Sequence, residues 1–361
     1  LCNTIAVNSH RYERKKQGSI RCPEGMGLPF VLACTAWVYW IFRGKVKLDQ
    51  FGYWKTREAV PAKCPGPACP EGDLTMEVRI EYMMPREIDA AMAACSTLFM
   101  PLGTVEWHGL HNITGVDALK AHALCVQAAQ RGGGLVHPAL FGGVGGLDEP
   151  HTFIFDPENS MGSTLLRPWL EQACREAHRL GFKAVIMLTG HYGAAQQIAV
   201  REAAVRMSKV LDIPILGTPE YFLALDQEYY GDHAAFFETS IMMHLYPDRV
   251  DLSRLGEEPH QGVGGRDPKQ FATAEDGKRF CEAIIGRLTH LAWEMPSWDE
   301  AKRMAFIGAE EALVNRQMTL AGPGTGIWHG WRNISKGAFD KYPELLTGGD
   351  FGAIEALCKE L

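Results

Sequence analysis

The sequence predicts an α/β fold in which a mainly parallel sheet is covered by helices on both faces. Three observations carry this. Short apolar runs alternate with stretches of helical period across residues 82–295, the pattern of a parallel sheet with crossover helices. The run Ala184-Val-Ile-Met-Leu-Thr189 is unbroken in its apolar character, as strands buried on both faces are. Glycines stand where helices should stop, at Gly132-Gly-Gly134 and at Gly181.

Taken in order, Thr97-Leu-Phe-Met-Pro-Leu102 reads as the first strand and Ala118 to Gln130 as the helix after it. Leu135-Val-His-Pro-Ala-Leu140 is a second strand and Leu165 to Leu180 a second helix. Ala184–Thr189 is the third strand, followed by a helix from Ala194 to Leu211. Ile213-Pro-Ile-Leu-Gly217 is a further strand, and Glu238 to Tyr246 and Ala274 to Trp293 complete the helices. Right-handed crossovers place every strand-to-helix loop at one edge of such a sheet.

Outside this zone the chain is less regular. Residues 1–80 form an N-terminal extension, with Pro and Gly gathered between Pro61 and Gly72 as in a linker. Residues 81–295 form the main domain, and 296–361 a C-terminal extension of mixed character. Gly25 to Phe42 carries no charge and has basic residues on both sides. Its length is at the lower edge for a membrane span. It reads as an anchor, as an element buried on the main domain, or as an upstream extension, since the chain begins at Leu1. Ten cysteines are scattered without a disulfide framework, which points to a reducing, cytoplasmic location; membrane anchoring through 25–42 is the alternative. A net charge of −7 supplies no basic field for nucleic acid.

The predicted loop edge is also where the chemistry gathers. Glu106-Trp-His108-Gly-Leu-His111 follows the first strand, and Asp117 stands just before its helix. Gly190-His191-Tyr-Gly193 follows the third strand, and Asp232-His233-Ala-Ala-Phe-Phe-Glu238-Thr-Ser240 precedes a later helix. Glu106 and His108 are two residues apart, so in extended backbone their side chains share a side. Carboxylates and imidazoles together suit Zn, Mn or Fe better than Ca or Mg. An aspartate with two free oxygens can bridge two ions. Taken singly, each residue has a plain reading: a solvated loop for Glu106, an N-cap for Asp117, a hydrogen-bonded loop residue for His108. The conjunction on one edge favours a metal site. No Gly-x-Ser-x-Gly elbow, Walker loop or His-Glu-x-x-His pair is present. Gly142-Gly-Val-Gly-Gly146 lacks a phosphate loop's lysine and reads as a flexible lid; Trp328, His329 and Trp331 read as packing residues, with a cap over the pocket as the alternative.

Pro101-Leu-Gly-Thr-Val-Glu106-Trp-His108-Gly-Leu-His111, with Asp117 after it, resembles the signature of the creatininase (creatinine amidohydrolase) family. Gly190-His191 is similar to that family's second motif, and His233-Ala through Glu238-Thr-Ser240 to its third. The resemblance covers residues 82–295. It implies a three-layer α/β/α fold, a binuclear Zn or Mn site, a homohexamer, and hydrolysis of a non-peptide, often cyclic, amide by a metal-bound hydroxide. By position it implies that Glu106, Asp117 and His191 hold one ion. His108 and Asp117 hold the other, completed by Glu238. It makes His233 the acid or base, or a carbonyl-orienting donor, and Glu238 an alternative acid if it is not a ligand. Thr189 and Ala235 depart from the family pattern, and Gly193 stands where a metal-binding Glu is usual. A peptide- or formamide-cleaving member, and a non-catalytic metal-binding or scaffold subunit, are the alternative readings.

Overall fold

A strand with apolar side chains on both faces needs helices above and below it, and alternate residues then enter separate cores. The computed structural model describes residues 76–147, 150–320, 337 and 339–360. The chain divides into two units, Leu1–Pro61 and Ala62–Leu361; the first lies outside the described residues. So do segment 25–42, the stretch 61–72 and Trp328, His329 and Trp331. Among the described residues, no helix is long and apolar enough to cross a membrane.

In chain order the elements are α1 (Pro85–Ala94), β1 (Thr97–Gly103), α2 (Val116–Gly132), β2 (Leu135–Val136), β3 (Leu140–Phe141) and α3 (Leu166–Leu180). Then come β4 (Ala184–Thr189), α4 (Ala194–Leu211), β5 (Ile215–Pro219), α5 (Phe236–Leu245) and α6 (Ala274–Glu294). Helices α7 (Glu300–Leu320), α8 (Tyr342–Gly348) and α9 (Phe351–Glu360) follow. All five strands pair in parallel, in the order β2-β1-β4-β5, with β3 also on β1.

The register makes the three layers visible. Phe99, Val136, Ile186 and Leu216 lie in one row across the sheet and enter one core with Leu124 and Cys125 of α2 and Phe280 and Ile284 of α6. Their neighbours Leu98, Leu135, Val185 and Ile215 form the next row. They enter the other core, with Leu170 and Cys174 of α3 and Ala199 and Ala203 of α4. The fold is thus three-layer α/β/α, as expected. Phe306 of α7, Tyr342 of α8 and Ile354 of α9 belong to the first core.

Element ends differ from expectation for identifiable reasons. The second predicted strand is split into β2 and β3 at Pro138, which has no N–H to give the ladder. Pro214 has the same effect on the start of β5, which runs from Ile215. Helix α5 starts at Phe236 rather than Glu238, because the Asp232 carboxylate accepts from the Phe237 and Glu238 amides at 2.7 and 3.1 Å.

The C-terminal helices are tied in by a buried cation. Arg201 of α4, fully buried, donates to Glu310 of α7 at 2.7 Å, and the Tyr342 hydroxyl donates to the same carboxylate at 2.7 Å. Breaking a buried pair strands its partner's charge, so Arg201→Ala should cost about 3–5 kcal/mol in urea unfolding. Arg206→Ala, which removes the exposed Arg206–Glu171 pair, should cost less than about 1 kcal/mol.

Candidate metal centre

The carboxyl ends of β1 and β4 press against the start of α2. A Cβ on Gly103 would lie 2.4 Å from the Asp117 Cβ, and one on Gly190 would lie 2.1 Å from the Asp117 carbonyl oxygen. Only glycine fits at both positions. Helix α2 starts at Val116, with Gly115 at the cap position and no side-chain cap. Asp117 therefore lies inside the first turn and does not cap; its carboxylate is free to face the strand ends. This corrects the placement ahead of the helix and the N-cap reading.

The two oxygens of Asp117 face different histidines. Oδ1 is 3.1 Å from His108 Nε2, and Oδ2 is 3.2 Å from His191 Nδ1. Glu106 Oε2 lies 2.9 Å from His191 Nδ1, and Glu238 Oε2 lies 3.4 Å from His108 Nε2. Two sets of donor atoms result, Glu106–Asp117–His191 and His108–Asp117–Glu238, each gathered within 4.8 Å. The structure brings all five predicted ligands together, and all are buried. A third grouping joins Glu106 and His108 to His233. The fourth, Glu258, His260 and Asp267, lies nearer the surface, where Asp267 already accepts from the Lys269 amide.

Both histidines are oriented for ligation. His108 Nδ1 lies 2.9 Å from the Glu106 carbonyl, and His191 Nε2 lies 3.2 Å from the Val144 carbonyl. A carbonyl only accepts, so each of these nitrogens carries the hydrogen and the other presents its lone pair to the carboxylates. His108 Nε2 is buried without a well-formed hydrogen bond. A buried lone pair facing two carboxylate oxygens calls for a cation, so the donor chemistry fits a divalent ion.

The titration behaviour says the same. Burial opposes a charged His108, yet Asp117, Glu238 and Glu106 raise its pKa to about 9. His191 is likewise raised well above its ordinary value, against burial, by Glu106 and Asp117. Burial would lift Glu106, but His191 holds it down at about 2. The cluster demands positive charge at the two lone pairs, and a divalent cation meets that demand without protons.

His233 stands beside this cluster. Its Nε2 donates to the Trp107 carbonyl at 2.9 Å, which leaves Nδ1 unprotonated and 4.0 Å from Glu106 Oε1. Its ring is tilted over that of His108, with centroids 4.5 Å apart. Burial and His108 lower its pKa, so it is neutral at pH 7. Its side chain is 19% exposed, against 4% or less for the five ligand candidates.

The glycine stretch expected as a lid forms a wall of the site. The Leu147 amide donates to Glu106 Oε1 at 2.7 Å, and Val144 binds Gln196 at 2.8 Å through its amide and His191 through its carbonyl. Gly193 contributes no ligand: a Cβ there would lie 2.7 Å from His191 Nε2. Sequence reasoning gave no role to Thr104, whose hydroxyl lies 2.5 Å from Asp117 Oδ2 and 3.1 Å from Glu106 Oε2. Its place two residues before Glu106 was the available signal. Lys120, bonded to Glu238, carried no signal, since a lysine in a helix ordinarily faces water.

The family model for creatinine amidohydrolase matches residues 81–292. A creatinine amidohydrolase of Pseudomonas putida is 33% identical over 202 residues, which cover 48% of this chain and 74% of that protein. Among solved structures, a creatininase designated Mn is 26% identical with a TM-score of 0.51, covering 61% of this chain and all of that one. Another creatinine amidohydrolase structure is 26% identical with a TM-score of 0.50, covering 61% of this chain and 98% of that one.

In the folded, metal-free chain His108 titrates near 9 instead of its ordinary 6.5. A raised pKa contributes stability that is complete below the unfolded value and lost as pH rises through the folded one. Glu220 and Asp232, pushed up to about 7 by burial, act with the same sign at lower pH. The unfolding free energy of chelator-treated protein should therefore fall between pH 6.5 and 9 in urea melts. A flat or rising profile would show that His108 and His191 bind protons no more tightly in the folded chain than in the unfolded one.

Proposed function

This chain belongs to the creatininase family and is a metal-dependent amidohydrolase acting on a non-peptide amide; we propose that its substrate is a compact, cyclic amide cleaved at a two-ion centre. The observation that carries this reading is Asp117, whose two oxygens face two separate donor sets. In this reading Glu106, Asp117 and His191 hold one Zn or Mn ion, and His108, Asp117 and Glu238 hold the other. Such ions, when bound, lower the pKa of water and polarise a carbonyl.

The chain's own residues supply the rest. Trp107 fixes His233 in the tautomer whose Nδ1 is a base, and its lowered pKa keeps that base unprotonated at pH 7. Nδ1 takes a proton from the water that adds to the carbonyl carbon, and returns it to the departing nitrogen as the C–N bond breaks. The Leu147 amide and Thr104 hold Glu106 in place. The ligand set is buried, and His233 beside it is only 19% exposed. That limited exposure favours a compact amide over an extended peptide.

Glu106→Ala and Asp117→Ala should each lose metal, by elemental analysis, and turnover. His233→Ala should retain metal and lose about 10²–10⁴-fold in kcat, measured as ring opening of small cyclic amides with formamide and peptides as controls. A fully active His233→Ala enzyme would remove His233 from the chemistry. Turnover confined to peptides or formamide would favour those substrates, and metal binding with no hydrolysis would favour a non-catalytic subunit.

A further inference from the structure

Lys120 lies one turn along α2 from Asp117 and is fully buried. An ammonium has three N–H donors, and three acceptors surround this one. They are Glu238 Oε1, the Tyr192 hydroxyl at 2.9 Å and Glu220 Oε1 at 3.2 Å. The Tyr192 ring also stands 4.0 Å from Nζ, centroid to nitrogen. The Tyr192 hydroxyl in turn donates to Glu220.

Glu238 is consequently gripped on both oxygens. Lys120 holds Oε1, and the Ala234 amide donates to Oε2 at 2.7 Å. Ala234 reaches that position with φ at 53°, an uncommon conformation for a residue with a Cβ. The grip leaves Oε2 turned toward His108 Nε2 at 3.4 Å. Glu220 makes no hydrogen bond or ion pair with the five ligand candidates, so it offsets the Lys120 charge from outside the donor sets. Glu106 and His191 make no hydrogen bond or ion pair with Lys120.

We propose that Lys120 is a positioning residue: a charge-balanced ammonium that fixes Glu238, on which ion binding by the His108–Asp117–Glu238 set selectively depends. This rests on the reading that the two donor sets hold divalent ions. The alternative effect of the same cation is repulsion, which would make its removal tighten binding. The Glu220 carboxylate against it and the two-sided grip on Glu238 favour orientation.

The test is Mn²⁺ binding by the whole chain, followed by equilibrium dialysis with elemental analysis across graded free Mn²⁺. Lys120→Met strands two buried carboxylates and can fail to fold, so the decisive variant is Lys120→Met/Glu220→Gln, which removes the cation and its balancing acid together. Wild type should bind two ions. The double variant, folded by circular dichroism, should bind one ion unchanged and the other about 10–100-fold more weakly, the usual cost of losing a residue that orients a ligand. Equal affinity for both ions in variant and wild type, tighter binding of the second ion, or equal weakening of both would overturn the role of Lys120. Fewer than two ions in wild type would overturn the two-ion reading itself, and the inference with it.

Discussion

The arrangement depends on one close approach, that of the first turn of α2 to the ends of β1 and β4. Gly103 and Gly190 leave no room for a side chain between those strand ends and Asp117. The contact drives a carboxylate into a place from which water is excluded and where two imidazoles already point. Burial alone would raise its pKa; His108 and His191 instead hold Asp117 well below the usual carboxylate range. An ionised, buried, shared carboxylate is costly to build, and the surrounding hydrogen bonds recover that cost only when positive charge is present. The fold and the metal chemistry are therefore one problem, solved at one point.

Around that point each candidate ligand is held by a different part of the chain. Backbone carbonyls at Glu106 and Val144 set the histidine tautomers. The glycine wall holds Glu106 through the Leu147 amide. Helix α5, capped by Asp232, delivers Glu238, and the backbone turn at Ala234 delivers His233 beside it. Strand-to-helix loops supply these groups because a parallel sheet brings them to one edge. The paired strands then keep the loops in register, as the continuous rows through Leu98, Val185 and Ile215 show.

Much of this was legible in the sequence because the physical signals were local. The unbroken apolar run Ala184–Thr189, too short for a helix, reads as a buried strand, and it is β4. Glu106, His108, Asp117, His191 and Glu238 fell on the predicted loop edge because strand and helix periods put them there, and the structure gathers them. Signals depending on two distant segments were not legible. Nothing local marks Lys120 as buried, since its partners Glu220 and Glu238 lie about a hundred residues away in sequence. The split at Pro138 is readable in principle from the missing N–H. The C-terminal helices gain their place from the Arg201–Glu310–Tyr342 contact, which unites three segments and leaves no periodic trace.

In the proposed reading Asp117 joins two ions. Anomalous diffraction at the Mn absorption edge, on crystals of the manganese-replete protein, tests it most directly. Two peaks are expected, both bonded to Asp117, one with Glu106 and His191 and the other with His108 and Glu238. A single peak, or two peaks of which only one touches Asp117, would contradict it.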